Sequence, residues 1–368
     1  MIFSLSSLLI SSLLSCVLIL VLRVLLKKTA IYRVVRTDFL NIFCLVIFLR
    51  LLFPVELKNT MTLPSRVVLP TLFKVLATTF YVGQFDFSLE ELLFVIWIFG
   101  SCFYLAKLFV NIFKLKNVVN QIAEYGKPVE LELSNRNTSI FITDFVGTPT
   151  VLGVFHRYIL IPSRKYTAQE LEYILLHEKQ HIQNRDILKK MVLELLIVAY
   201  WWLVPLYFFR KQFNLVLEFS VDKQVTQQLS DSEYFDYAQS LVSVQKKNSL
   251  ETLSPNIVAN FTISEKFTLQ KRINFLLEGY ENRKTKKSIL AICLLLPLVV
   301  TSFIFEPYHI SEERVVGTET VDMNADTYLL KKQDGTYVLY IDGQDMGIVS
   351  DTKDSSLKEL KIINEEGK

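Results

Sequence analysis

Leu176-His177-Glu178-Lys179-Gln180-His181 is the stretch that decides the reading of this chain, because it sets two imidazoles and a carboxylate at helical spacing. Four residues make slightly more than one helical turn, so His177 and His181 stand on one face about 6 Å apart and can both reach a single Zn²⁺. Glu178 then lies beside the metal without being forced to ligate it, where a carboxylate can take a proton from water. With four histidines in 368 residues, chance is a poor account of the motif. Just upstream, Thr167-Ala168-Gln169-Glu170 reads as a capping box, followed by Leu171, Ile174 and Leu175 at helical spacing. This predicts a helix that starts near Ala168 and carries the motif.

Hydrophobic residues make up 51% of the chain, with 27 Phe and 16 Tyr, and the mean hydropathy is +0.32. A water-soluble domain of this length has no use for so much apolar surface, so the composition reads as an integral membrane protein. The net charge of +3 hides an asymmetry: residues 306–368 hold 14 acidic and 7 basic side chains, a net of −7, so the rest carries +10. The two parts are expected to face different compartments. Cys16, Cys44, Cys102 and Cys293 each fall in an apolar segment, with no Cys-x-x-Cys spacing, and read as small apolar residues.

Four spans are expected. Residues 2–22 form the first, without the charged start or cleavage site of a signal peptide. Arg23, Lys27, Lys28, Arg33 and Arg36 follow against one acid, Asp38, which makes that loop cytoplasmic and puts the N-terminus outside. Residues 39–53 form a short second span closed by Pro54, 55–91 an outer loop with an interfacial helix near 72–81, and 92–110 the third span. Lys107, Lys114 and Lys116 mark its cytoplasmic end, so 1–116 is read as the membrane region. Arg283, Lys284, Lys286 and Lys287 start a last span, 288–305, on the inside, which delivers the acidic tail 306–368 outside. Between them, 117–287 is expected to be a cytoplasmic domain: a short helix at 118–125, strands at 129–133 and 139–143, and a hairpin of 151–155 with 158–161. Val151, Leu152 and Gly153 on that hairpin are where an extended peptide could add as a strand.

A catalytic zinc usually takes three protein ligands and leaves one position to water. The metzincin extension would need Gly at 184 and His at 187, where this chain has Asn184 and Ile187. The other histidines are His156 and His309, so a carboxylate is expected. Glu218 and Asp222 stand at i and i+4; Glu218 can complete the zinc sphere while Asp222 accepts from a ligand histidine's free ring nitrogen. An ordinary solvated acidic face has the same spacing, and Glu194 and His156 are rival ligands. A shared metal puts Glu218 and the histidine pair in one compartment. Residues 191–209, although about as long as a span, are therefore read as a membrane-associated, non-spanning segment broken around Trp201-Trp202-Leu203-Val204-Pro205.

Taken together, T-P-x-V-L-G-x-F (Thr148 to Phe155), I-L-I-P (Ile159 to Pro162), L-L-H-E-x-x-H-x-x-x-R-D (Leu175 to Asp186), W-W-x-x-P (Trp201 to Pro205) and E-x-x-x-D (Glu218, Asp222) resemble the membrane-embedded zinc metallopeptidases of the beta-lactam sensor and antirepressor type, the BlaR/MecR-like family. The resemblance runs from about Gly147 through Asp222, and the span plan extends it to about Phe305. It implies a gluzincin-like α+β protease domain with His177, His181 and Glu218 as zinc ligands, Glu178 as base, and Asp222 and Asp186 supporting the ligands from outside. The fold class expected is thus an α-helical integral membrane protein with that cytoplasmic domain and a small β-rich outer tail. Two features depart from the pattern. The family's best-known members carry a large outer penicillin-binding domain, whereas this tail has 63 residues, and many have Cys where Val221 stands. Residues 327–343 read as a small β-hairpin unit, and Ser355-Ser356-Leu357-Lys358 matches S-x-x-K formally, as a chance occurrence.

The function expected is a membrane zinc metalloendopeptidase that turns an extracellular signal, antibiotic or envelope stress, into proteolysis of itself or of a cytoplasmic repressor. The winged-helix identity of that repressor comes from the resemblance alone. Membrane lipid is the other expected partner, direct nucleic-acid binding is not expected, and a homodimer is left open. A non-proteolytic receptor or immunity protein and a general membrane quality-control protease stand as alternatives. The intact Glu178 speaks against the receptor, since a structural zinc site prefers four closed ligands and needs no base.

Overall fold

The structure is a computed structural model that describes residues 5–27, 36–54, 61–65, 68–82, 85–125, 137–249, 265–279, 288, 291–292, 303–307, 327–332, 336–341, 344–349 and 360–364. They fall into two compact units, Met1–Pro307 and Tyr308–Lys368. The first begins with α1 (Leu5–Lys27), α2 (Thr37–Leu52), β1 (Met61–Ser65), α3 (Val68–Leu76), the hairpin of β2 (Thr79–Val82) with β3 (Phe85–Ser88), and α4 (Leu89–Tyr125). It continues with β4 (Thr138–Thr143), β5 (Thr150–Leu152), β6 (Arg157–Pro162), α5 (Ala168–Gln183), α6 (Asp186–Ala199), α7 (Val204–Thr226), α8 (Asp231–Ser249), α9 (Glu265–Gly279) and β7 (Phe303–Pro307). The second unit is a four-stranded sheet in the order β10-β9-β8-β11, built from β8 (Tyr328–Lys331), β9 (Tyr337–Ile341), β10 (Gln344–Val349) and β11 (Lys361–Asn364). The hairpin expected at 327–343 is the β8–β9 pair, with the Tyr328 and Tyr340 rings stacked at 5.4 Å. The parallel addition of β11 to β8 has no local signal in the sequence.

Among the described residues, two helices are long and apolar enough to cross a membrane, over Ser7–Lys27 and Leu89–Glu124. Along the apolar stretch of α4 no residue is buried, and Phe94, Phe99, Phe103 and Phe109 all lie exposed. A surface of that kind is satisfied by hydrocarbon and not by water. α2 has 16 residues, about 24 Å at the helical rise, and is shorter than a bilayer core. Its Leu40, Phe43, Ile47 and Leu51 recur at helical spacing and bury against Leu18, Ile19, Leu22 and Leu26 of α1 and Leu206, Phe209 and Phe213 of α7.

Several expected boundaries move. The third span and its following short helix are one unbroken helix, so the boundary after residue 116 falls inside α4. Nothing in 110–118 breaks a helix, and Val119 and Ile122 at its far end bury with Phe141, Leu152 and Leu160 of the sheet. The interfacial helix expected near 72–81 is α3, which ends at Leu76, and 79–82 is strand. The last span expected over 288–305 lies largely outside the described residues, but Phe303, Ile304 and Phe305 belong to β7. There they pair in parallel with Met61, Thr62 and Leu63 of β1, as aromatic and β-branched residues before Pro307 favour. The strand expected at 129–133 lies outside the described residues.

Among the described residues, β4, β5 and β6 form a three-stranded sheet in the order β4-β6-β5, so β5 lies at its edge. Side chains alternate along β6: Leu160 faces the end of α4, while Ile159 and Ile161 pack with Leu171 and Leu175 of α5. The sheet is thereby clamped between α4 and the helix that carries H-E-x-x-H. Further on, the chain breaks between α6 and α7 at 200–203, because Pro205 in the first turn of α7 lacks an N–H and excludes a continuous helix. Tyr200 donates its hydroxyl hydrogen to Leu51 O at 2.9 Å, occupying a carbonyl that the end of α2 leaves free.

The break is fastened to α4. Trp97 Nε1 donates to Ala199 O at 2.8 Å, Trp201 Nε1 donates to Trp97 O at 3.3 Å, and Trp201 stacks on Tyr104 at 6.2 Å. Gly100 makes this approach feasible, since a Cβ there would lie 2.2 Å from the Trp201 ring. Gly100→Leu is therefore expected to separate α4 from the α6–α7 turn and destabilise the detergent-purified protein by about 1–3 kcal/mol, read as a lower Tm. Leu substituted at the exposed Phe99 should leave Tm unchanged.

Candidate metal centre

α5 begins at a complete capping box: the Glu170 backbone N–H donates to Thr167 Oγ1 at 3.1 Å and the Thr167 N–H donates to Glu170 Oε2 at 2.7 Å. Glu170 also receives Lys247 and Ser243 of α8, which hold its carboxyl down at about 2 against the opposing effect of burial. The helix start is thus tied to α8 as well as capped. At the other end Arg185 takes a left-handed φ of 54°. A non-glycine residue adopts that region rarely, and here it swings the chain so that Asp186, first residue of α6, comes back under His181.

The two ring nitrogens of each histidine have separate jobs. His181 Nδ1 lies 2.8 Å from Asp186 Oδ2, whose other oxygen takes Lys189 Nζ at 2.9 Å. His177 Nδ1 lies 2.9 Å from the Tyr237 hydroxyl, and that hydroxyl donates to Asp222 Oδ1 at 2.7 Å. A carboxylate only accepts, and a hydroxyl that has spent its hydrogen on Asp222 can only accept from His177. Both imidazoles are therefore N–H at Nδ1 and carry a lone pair at Nε2.

Those lone pairs converge. His177 Nε2 and His181 Nε2 are 3.2 Å apart, and the Glu218 carboxylate lies 3.3 Å from the first and 3.5 Å from the second. One ligand atom from each of the three residues falls within 4.8 Å of the others. Such a cluster of electron-rich atoms could hold a metal ion. Two imidazole nitrogens and one carboxylate oxygen form a donor set that suits Zn²⁺ and leaves room for a further ligand. The same surroundings favour positive charge at this position: burial and Arg272 oppose it, but Asp222 and Glu218 outweigh them and raise His177 to about 9.

Arg272 of α9 completes the cluster. Its Nε and Nη2 donate to the two oxygens of Asp222 at 2.8 and 2.7 Å, and Nη1 lies 3.1 Å from Glu218 Oε2. Despite burial, this guanidinium holds Glu218 well below the usual carboxylate range and Asp222 at about 2. Tyr237 and Arg272 were not among the residues singled out from the sequence. One is among 16 tyrosines and the other stands on a helix without an acidic partner of its own, so neither carries a local signal.

The remaining expected residues are placed as follows. Glu178 is buried and lines a cleft of about 200 Å³ together with His177, His181 and Glu218. Thr150 and Val151 of the β5 edge form part of its wall, whereas Leu152 is buried in the cluster against α4. Gly153 makes the turn at φ 86°, where a Cβ would meet His156 O at 2.0 Å. Of the rival ligands, Glu194 is ion-paired with Arg210 and His156 is hydrogen-bonded to Ser139 at 3.0 Å. The remaining histidine, His309, lies outside the described residues.

A family model described as BlaR1 peptidase M56 matches residues 3–276. The chain is similar to the methicillin resistance mecR1 protein of Staphylococcus aureus (strain Mu50 / ATCC 700699), 21% identical over 276 residues that cover 70% of this chain and 46% of that protein. The mecR1 protein of Staphylococcus epidermidis matches to the same extent. The regulatory protein BlaR1 of Bacillus licheniformis is 23% identical over 219 residues, 52% of this chain and 35% of that protein. The chain spans less than half the length of these curated relatives. The family match takes in the two long apolar helices α1 and α4, the H-E-x-x-H helix and every residue of the His-His-Glu cluster. This chain belongs to the BlaR1 peptidase M56 family of metallopeptidases.

Proposed function

We propose that this protein is a membrane-embedded zinc metalloendopeptidase, with a gluzincin-like cytoplasmic domain, that passes a signal from the outer face to a proteolytic event inside. The observation that carries the reading is the convergence of His177, His181 and Glu218 beside Glu178, in a cleft walled by a strand edge that no described residue pairs.

In this reading His177, His181 and Glu218 hold the metal, while Asp186 and the Tyr237–Asp222 pair keep both imidazoles in the ligating tautomer. Bound there, Zn²⁺ would act as a Lewis acid toward the scissile carbonyl and the attacking water. Glu178 takes the proton of that water and later delivers it to the leaving amine. The substrate lies extended along β5, whose backbone groups on the side away from β6 give main-chain pairing and whose Val151 meets its side chains. The half-buried cleft limits access of bulk water to the reacting atoms.

Sensing follows from how the cleft is attached. α4 runs without a break from the β2–β3 hairpin to the sheet that holds β5, about 55 Å at the helical rise, so a displacement at one end is felt at the other. Both termini lie outside in this reading. The basic loop 23–36 favours the cytoplasmic side, and the β1–β7 pairing needs 61–65 and 303–307 on one face. The 191–209 segment stays on the inner side, and the tail sheet is external. By likeness to relatives named for methicillin resistance and regulation, we infer that the stimulus is an antibiotic or envelope stress. The substrate is then a winged-helix repressor or this chain's own 226–285 region.

Zinc measured on purified protein is expected at about one equivalent for wild type and Glu194→Ala, and near zero for His177→Ala and Glu218→Ala; zinc lost with Glu194→Ala alone overturns the ligand assignment. Glu178→Gln should keep the zinc and lower turnover by about 10²–10⁴-fold, seen as stimulus-dependent fragments of repressor or sensor that vanish in the variant. Identical fragments from both proteins would sink the protease reading. In a chain with its cysteines replaced, Cys at the exposed Ser232 should resist a membrane-impermeant maleimide in intact cells and react in inverted vesicles; the reverse pattern would overturn the orientation.

A further inference from the structure

We propose that Arg272 is the positioning residue of the metal centre, so that the ligand set is complete only when α9 is docked on α7. The inference rests on the zinc reading above and goes beyond it by giving the third ligand's geometry to a residue from another part of the chain. Glu218 and Asp222 stand one turn apart on α7, and Asp222 is fully buried. Side by side, two carboxylates repel each other and burial costs both their hydration.

The guanidinium answers both problems with one rigid plane. Nε and Nη2 grip both oxygens of Asp222, and the remaining Nη1 reaches Glu218 Oε2 at 3.1 Å. Oε1 is then the Glu218 oxygen that faces His181 Nε2, at 3.5 Å. The same fork fixes the acceptor that Tyr237 uses to orient His177. One side chain therefore sets the third ligand and, through Asp222 and Tyr237, the tautomer of the first. Lysine has the charge but not the fork, and cannot make three bonds in one plane.

What brings Arg272 into place is apolar. Phe275, one turn further along α9, stacks flat on Phe219 at 4.2 Å between centroids, and the Tyr234 hydroxyl of α8 donates to Leu276 O at 2.7 Å. Glu218 and Phe219 are adjacent on α7, so docking of α9 and orientation of the ligand carboxylate are one event. Undocking α9 would withdraw the fork and leave two uncompensated carboxylates beside the histidines.

The test uses the full-length protein in detergent, with the wild type, Arg272→Lys, Arg272→Gln and, as a control, Ala at the exposed Leu277. Zinc affinity is measured by chelator competition, ligand geometry by the visible spectrum of the Co²⁺-loaded protein, and folding by Tm without metal. Both Arg272 variants are expected to bind zinc at least tenfold more weakly with an altered Co²⁺ spectrum, at a Tm that still marks a folded chain, while the Leu277 variant matches wild type. Wild-type affinity and spectrum in Arg272→Lys would overturn positioning and leave only charge balance. Collapse of Tm in both variants would make Arg272 a purely structural residue and overturn the proposal equally. Failure of the wild type itself to bind zinc would refute the zinc reading instead, which separates the two.

Discussion

Glu218 meets two imidazole lone pairs at 3.3 and 3.5 Å, and much of the surrounding architecture exists to make that encounter tolerable. Three electron-rich atoms held this close repel one another, and the arrangement depends on how their outer sides are satisfied. Asp186 and Lys189 serve His181, the Tyr237 hydroxyl and Asp222 serve His177, and Arg272 serves Glu218. These partners come from α6, α7, α8 and α9, so the centre cannot form before four helices have met α5. A buried polar network of this kind is stable only when every member is paired.

α7 joins the centre to the apolar part of the molecule. Its first half, through Leu206, Phe209 and Phe213, packs against α1 and α2 in one continuous hydrophobic cluster. Its second half turns Glu218 and Asp222 toward the histidines. Between them Ser220 exchanges hydrogen bonds with Asn41 of α2 at 2.8 and 3.0 Å, a polar contact two residues from Glu218. Any rotation of α7 about its axis alters both halves together, because a helix turns as a unit. The same holds for α4, whose apolar length and sheet-packed end are one rod.

The cleft owes its shape to a sheet of three strands. β5 is three residues long and, among the described residues, pairs on one side only, through Thr150↔Leu160, Val151↔Ile159 and Leu152↔Tyr158. A strand edge left unpaired among the described residues invites another strand, and here the edge borders the His-His-Glu cluster instead of open surface. Leu152 anchors the strand in the cluster shared with α4 while Val151 lines the cleft, so two successive residues of one short strand, pointing to opposite faces, connect the rod to the site.

Local spacing determined much of this from the sequence alone. The His177/His181 pair, the capping box at Thr167 and Glu170, the Glu218/Asp222 pair and the helix break before Pro205 all depend on residues within about one turn of one another, and the chain fixes such relations before it folds. Which carboxylate would face the histidines was not local: Glu194 is as near in sequence as any candidate, and only the packing of α6 on α7 gives it to Arg210. Tyr237 and Arg272 were invisible for the same reason, since their value lies in partners 60, 15 and 50 residues away. The unbroken length of α4 and the strand at 303–307 also needed the tertiary structure. A helix continues where a folded surface receives its far end, and a strand exists only where a second one pairs with it.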